Sequence, residues 1–233
     1  MLPRTLRTPH GFLLLALLVW RWYFYRFRYT SISDPDAEDY AQIALQLFLG
    51  RGLGSRVMPL CGLDYLRQVG GDPAGGAVWP NLHRFPFMPL VEWALFQVYG
   101  PTDRALATAT GIFFIASVPL LFLLGRRIFG APVGAIGALL FLCSPLALGA
   151  SISGLTEQAA TFFLLATVLL LTGPRSRPAL ALAGVLWGVS FWNRYTGASL
   201  APLFAVYLWA QDRRRAPGNL AACTGALTGH HRD

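Results

Sequence analysis

The sequence predicts an all-α membrane protein: about six transmembrane helices, with a long extracytoplasmic first loop that carries interfacial amphipathic helices. Three observations predict it. Of 233 residues, 55% are hydrophobic and only 13% charged, and soluble domains carry roughly twice that charged fraction. The apolar residues gather into six runs close to the length of a bilayer crossing. The arginines fall between those runs with a consistent sidedness. The net charge of +8 therefore marks topology, and no basic face for nucleic acid emerges. Cys61, Cys143 and Cys223 have no metal-site spacing and form no disulfide framework.

Residues 1–9 carry Arg4 and Arg7 and no acid, as expected of a cytoplasmic N-terminus. The first span is expected over 10–28, where Trp22, Tyr23, Tyr25 and Phe27 with Arg21, Arg26 and Arg28 form an interfacial belt. Residues 29–104 form the one long polar region and hold eight of the eleven acids: Asp34, Asp36, Glu38, Asp39, Asp64, Asp72, Glu92 and Asp103.

Two interfacial helices are expected within that region. In the first, near 35–49, Asp34 or Ser33 serves as cap and Pro35 as first helical residue. Tyr40, Ile43, Ala44, Leu47 and Phe48 share one face, and Gly50 and Gly52 supply the stop. That face is expected to rest on a membrane. The second, near 86–99, is interrupted by Pro89 and too short to cross, so it should lie in the headgroup plane.

Five further spans are expected within 105–211, over 105–124, 131–150, 157–173, 178–193 and 197–211. A polar, disordered tail is expected over 212–233. With the N-terminus inside, Arg126, Arg127, Arg175, Arg177 and Arg213 to Arg215 all fall on the cytoplasmic side, leaving the 29–104 loop, Glu157 and Arg194 outside. Making 86–99 a span would reverse the Arg126 and Arg175 loops.

The outer face then collects Asp34, Asp36, Glu38, Asp39, His83, Arg84, Glu157 and Arg194. The acidic cluster, Glu157 and Arg194 have plain alternatives. The acidic cluster also fits a solvated helix start. Glu157, after a capping Thr156, fits a first-turn acid favoured by the helix dipole. Arg194 fits a snorkelling interfacial arginine. No phosphate-cradling glycine loop, Ser–His pair or His/Cys metal spacing occurs.

The run Pro35, Asp36, Tyr40, Ala41, Ile43 and Ala44, closed by Gly50-Arg51-Gly52, resembles the opening of the first extracytoplasmic loop in GT-C glycosyltransferases. Within them it is most similar to the protein O-mannosyltransferase and lipid A aminoarabinose transferase group (glycosyltransferase family 39-like). Arg84-Phe85-Pro86-Phe87-Met88-Pro89-Leu90 with Tyr99-Gly100, then Gly125-Arg126-Arg127, then Leu155-Thr156-Glu157 and Asn193-Arg194 follow in the same order.

The resemblance implies a transferase that moves a sugar from a polyprenyl-phosphate carrier to a protein or a lipid/glycan acceptor. It implies an integral protein of the cell membrane, the bacterial inner membrane, with an extracytoplasmic site. Asp36, Asp39 and Glu157 become the catalytic carboxylates, and Tyr40, His83, Arg84 and Arg194 the substrate-binding set. Ala37 stands where many members place a second acid, so the partner of Asp36 is open among the later carboxylates. No resident cofactor or metal site is assigned, although a divalent cation between Asp36 and Glu157 is compatible with the residues. Family members are longer, so this chain is expected to correspond to an N-terminal part. A non-enzymatic reading, a lipid-linked sugar flippase or transporter subunit, predicts polar residues at mid-span on several helices; an inactive truncated transferase is the third reading.

Overall fold

The computed structural model describes residues 8–26, 34–56, 79–80, 84–174 and 176–211. His83 and the tail from 212 lie outside them. Among the described residues the chain is mostly helical. It runs α1 (Pro9–Arg26), α2 (Pro35–Phe48), β1 (Gly54–Ser55), β2 (Trp79–Pro80), α3 (Phe87–Tyr99), α4 (Asp103–Phe129), α5 (Ala131–Leu142), α6 (Pro145–Ala150), α7 (Glu157–Leu171), α8 (Arg177–Asn193), a 3-10 turn (Tyr195–Leu200) and α9 (Ala201–Gln211). The strands are a two-residue antiparallel pair, Gly54 opposite Pro80 and Ser55 opposite Trp79.

Helix α2 is built as its sequence dictates at both ends. Asp34 is the cap, its Oδ1 accepting from Asp36 N at 2.9 Å, and Pro35 follows at the first position. At the other end Gly50 has φ 72, Arg51 N donates to Gln46 O and Gly50 N to Leu47 O, a Schellman closure. Its apolar face, however, is covered by protein and not by lipid. Ala44 packs with Phe96 of α3 and Ala105 and Leu106 of α4, and Tyr40 packs with Met88, Ala109, Ala159 and Phe163. The apolar stripe is short enough for two helix faces to fill it.

Pro89 does not interrupt α3, because it falls in the first turn, where its missing N–H has no intrahelical partner to lose. On the same face Glu92 is fully buried, and neither carboxyl oxygen has a hydrogen-bond partner among the described residues. Burial pushes its pKa well above the usual carboxylate range. The folded state then holds its proton more tightly than the unfolded chain, so stability falls as pH rises from the ordinary carboxylate value toward the raised one. Glu92→Leu is expected to stabilise the protein by about 1–3 kcal/mol at pH 8, with a much smaller gain at pH 4. Thermal melts at the two pH values read this directly.

Helix α4 carries on past Leu124 through Gly125, Arg126 and Arg127 to Phe129, two arginines in its last turn suiting the helix dipole. At 27 residues it is, among the described residues, the one helix long and apolar enough to cross a bilayer. The run expected as a single span over 131–150 is instead divided: α5 ends at Leu142, and Ser144 caps a new helix opening on Pro145. Proline cannot donate into the preceding turn, and hydropathy is blind to that. The last expected span is divided likewise, into the 3-10 turn and α9.

The main core joins Phe12 and Ala16 of α1, Phe114, Val118 and Phe122 of α4, and Ala135, Ala138 and Leu142 of α5, with the Phe12 and Phe122 rings stacked at 4.6 Å. Helices α4 and α5 meet through glycines. A Cβ on Gly134 would lie 2.5 Å from Arg126 N and 2.6 Å from Phe122 O, both backbone atoms that cannot step aside. Gly134→Leu is expected to force α4 and α5 apart, costing at least 3 kcal/mol, on the order of an overpacked core site or more, and lowering the melting midpoint sharply. An unchanged midpoint would show that the close approach is dispensable.

The helices alternate in direction, which gives the bundle two distinct ends. At one end the Ser151 carbonyl accepts from Trp20 Nε1 of α1 at 3.3 Å and from Thr110 Oγ1 of α4 at 2.8 Å. At the other, Arg127 Nη1 reaches the Leu169 carbonyl of α7 at 2.7 Å. Helix α2 and the start of α3 sit at the first end, against Ala105, Leu106 and Ala109.

Candidate functional site

Two ion-paired clusters stand at that first end. Arg84, in the turn before α3, joins the α2 carboxylates: its Nη2 lies 2.5 Å from Asp36 Oδ1 and its Nε donates to Asp39 Oδ2 at 2.8 Å. Asp39 is buried and also accepts from Ser55 Oγ at 3.0 Å. Asp36, one turn earlier, keeps 60% of its side chain exposed. The acids of α2 thus divide between a buried anchor and an open carboxylate, while Glu38 points to solvent.

Arg84 also lies over the Tyr40 ring, 5.1 Å from its centroid. Burial alone would lower the Arg84 pKa, but the hydrogen bonds it donates to Asp36 and Asp39 more than reverse this and hold it above its ordinary value. Burial raises the Tyr40 pKa, against the pull of Arg84.

The second cluster joins α7 to α8. Arg194 Nη1 lies 2.5 Å from Glu157 Oε1, with both side chains about half exposed. Beside it, Asn193 Nδ2 donates to the Thr156 carbonyl at 3.0 Å. Thr156 precedes α7 without a side-chain cap bond, contrary to its expected capping role. Its side chain is buried, and Tyr40 packs against Ala159 and Phe163 of the helix that Glu157 opens.

A third link is apolar. The Phe85 ring meets the Phe191 ring edge-on at 5.4 Å. Phe191 in turn lines an open groove of about 480 Å³ with Val185, Trp187, Val189, Trp192 and Ala198.

Of the residues singled out from sequence, Asp36, Asp39, Tyr40, Arg84, Glu157 and Arg194 therefore come together at one end of the bundle. Ser55, Thr156 and Asn193 escaped that selection. Asn193 stood next to Arg194 in the motif, and nothing local marks an asparagine as a bridge to a residue 37 positions away. Among the described residues no three His, Cys, Asp or Glu side chains converge as a metal set. Asp36 and Glu157 each face an arginine.

The family model described as dolichyl-phosphate-mannose-protein mannosyltransferase matches residues 83–228. That segment includes Arg84, Glu157, Asn193 and Arg194, while Asp36, Asp39 and Tyr40 precede it. No curated protein and no solved structure matches the chain.

Proposed function

Because the chain belongs to the dolichyl-phosphate-mannose-protein mannosyltransferase family, we propose that it is a membrane glycosyltransferase taking a sugar from a polyprenyl-phosphate carrier on the extracytoplasmic face. The acceptor is a protein or lipid/glycan hydroxyl. One observation carries this reading: two arginines, three carboxylates paired with them and an apolar groove share one end of the bundle, opposite Arg127. That combination suits a substrate with an anionic head and a hydrocarbon tail.

The topology proposed is the six-span one. The α5–α6 pair serves as one broken crossing, because α5 alone, at 12 residues, measures about 18 Å against a hydrocarbon core of about 30 Å. Arg126 and Arg127 lie in the cytoplasmic interface and the paired clusters in the outer one. Helices α2 and α3 lie along that outer interface.

In the reaction, Asp36 accepts the proton of the acceptor hydroxyl as its oxygen bonds the anomeric carbon. The bond from that carbon to the phosphate oxygen breaks, and the electron pair leaves on the polyprenyl phosphate. Arg84 and Arg194 neutralise the departing phosphate by charge-assisted bonds, each exchanging part of its contact with a carboxylate. Asp39 and Ser55 keep Arg84 in place while Asp36 works. Glu157 holds Arg194, and Tyr40 presents its ring beneath Arg84.

The experiment is to incubate membranes containing the chain with polyprenyl-phosphate sugars carrying labelled hexose or pentose, and to follow label into protein and lipid fractions. Transfer from at least one donor is expected. Failure with every donor, in membranes where the protein is inserted, contradicts the reading.

A further inference from the structure

We propose that Asn193 is a positioning residue of this site: its buried amide fixes the end of α8 to the start of α7, and so sets the Glu157–Arg194 pair. The inference rests on the transferase reading for its catalytic consequence, though not for the latch itself.

The two bridges are consecutive on both strands of chain. Thr156 is followed by Glu157 and Asn193 by Arg194, so the amide bond and the ion pair are the inner and outer rungs of one ladder. The outer rung alone is poorly placed to hold its own geometry. Both of its side chains are about half exposed, and an exposed ion pair gains little from its geometry while costing side-chain entropy.

Helical structure does not supply the missing order either. Arg194 has left the helix, with φ −158 and ψ 130, and its own backbone restraints are the bonds Arg194 N to Ser190 O and Gly197 N to Arg194 O. Asn193 is the last helical residue before it and is 1% exposed.

The orientation of the amide is fixed by chemistry. The Thr156 oxygen can only accept, so the NH₂ group must face it. That oxygen also accepts the first helical bond of α7, from Ala160 N at 2.9 Å. Asn193 therefore grips the first turn of the helix that carries Glu157, at the residue just before it.

The grip has a cost. Asn193 Oδ1 is buried and has no hydrogen-bond partner among the described residues. An apolar side chain of similar shape would avoid that desolvation, so stability alone gives little reason for asparagine here. What the amide supplies is register between the two helices that present Glu157 and Arg194.

The test compares Asn193→Leu, close in shape, with Thr110→Val as a structural control. The control removes a buried hydroxyl at this end, which donates to the Ser151 carbonyl at 2.8 Å and also lies 3.1 Å from the Ala107 carbonyl. Asn193→Leu is expected to lower kcat about 100-fold, the scale of a misplacement near 1 Å, while leaving the donor KM within about threefold. Thr110→Val is expected to keep wild-type turnover. In a Glu157→Gln background the Asn193→Leu change is expected to cost little more, since the pair it positions is already broken.

Independently of turnover, hydrogen exchange at the first turn of α7 should rise in Asn193→Leu and stay unchanged near Leu169. Should the leucine variant fail to insert, Asn193→Gln, which keeps the donor and changes only its reach, is read the same way with a smaller loss. Wild-type turnover in the variant, additive losses with Glu157→Gln, or unaltered exchange at α7 would each overturn the proposal. If the wild type transfers from no donor, the enzymatic reading falls, and the exchange measurement still decides the latch.

Discussion

Arg84→Met is expected to cost both stability and activity, and to do so through two separable partners. Asp39 is 3% exposed and would lose the guanidinium that its Oδ2 accepts from, while keeping the Ser55 hydroxyl. Leaving one member of a buried charged pair without its partner costs about 3–5 kcal/mol. At about 2–4 °C per kcal/mol for a chain of this size, the melting midpoint should fall on the order of 10 °C. Transfer should fall by about 10²–10³-fold, the usual effect of removing one electrostatic donor from a reacting centre. Adding Asp39→Leu to Arg84→Met should recover much of the stability, because the buried carboxylate is removed together with its guanidinium, and none of the activity. Recovery of turnover in the double variant would show that Arg84 serves only the fold.

Asp36→Asn is expected to do the opposite: a large loss of transfer with little change in stability. Asp36 is 60% exposed on its side chain, and ion pairs that open to water contribute little. An amide of the same shape keeps the turn and the cap bond, which uses the Asp36 backbone N–H. It cannot, however, take a proton from an acceptor hydroxyl. A general base contributes about 10²–10⁴-fold, so turnover should fall by that range while the melting midpoint moves by no more than about 2 °C. Asp39→Asn should show the reverse balance, chiefly destabilising, because Asp39 is buried against Arg84 and Ser55. Equal effects of the two substitutions on turnover would remove the division of labour between them.

What the chain discloses by itself is local chemistry. The start and stop of α2 could be written from Asp34, Pro35 and Gly50, because a cap, a preset φ and a left-handed closure act within a few residues. Asp36, Arg84, Glu157 and Arg194 stood out as charges in a chain with few of them. Their pairing did not. Arg84 meets Asp36 across 48 positions and Arg194 meets Glu157 across 37, distances over which composition carries no information.

Hydropathy misjudged three further points for a common reason: it weighs side chains and ignores backbone bonds. It set the end of α4 at the arginines, which helices tolerate well in a last turn. It carried one run through Ser144 and Pro145, where a cap and a missing N–H begin a new helix. It broke α3 at Pro89, which sits where a missing N–H is harmless. Neighbours filled the apolar face of α2, and that depended on Phe96 and Ala105 arriving from elsewhere in the chain.

The central claim is that the Asp36–Arg84 and Glu157–Arg194 clusters face the same compartment, opposite Arg127. Single cysteines at positions 36, 194 and 127, introduced after replacing Cys61, Cys143 and Cys223 by serine, can be labelled in intact cells with a membrane-impermeant maleimide. Positions 36 and 194 are expected to label from outside, and position 127 only after the membrane is opened. Labelling of 36 and 194 from opposite sides would contradict the account.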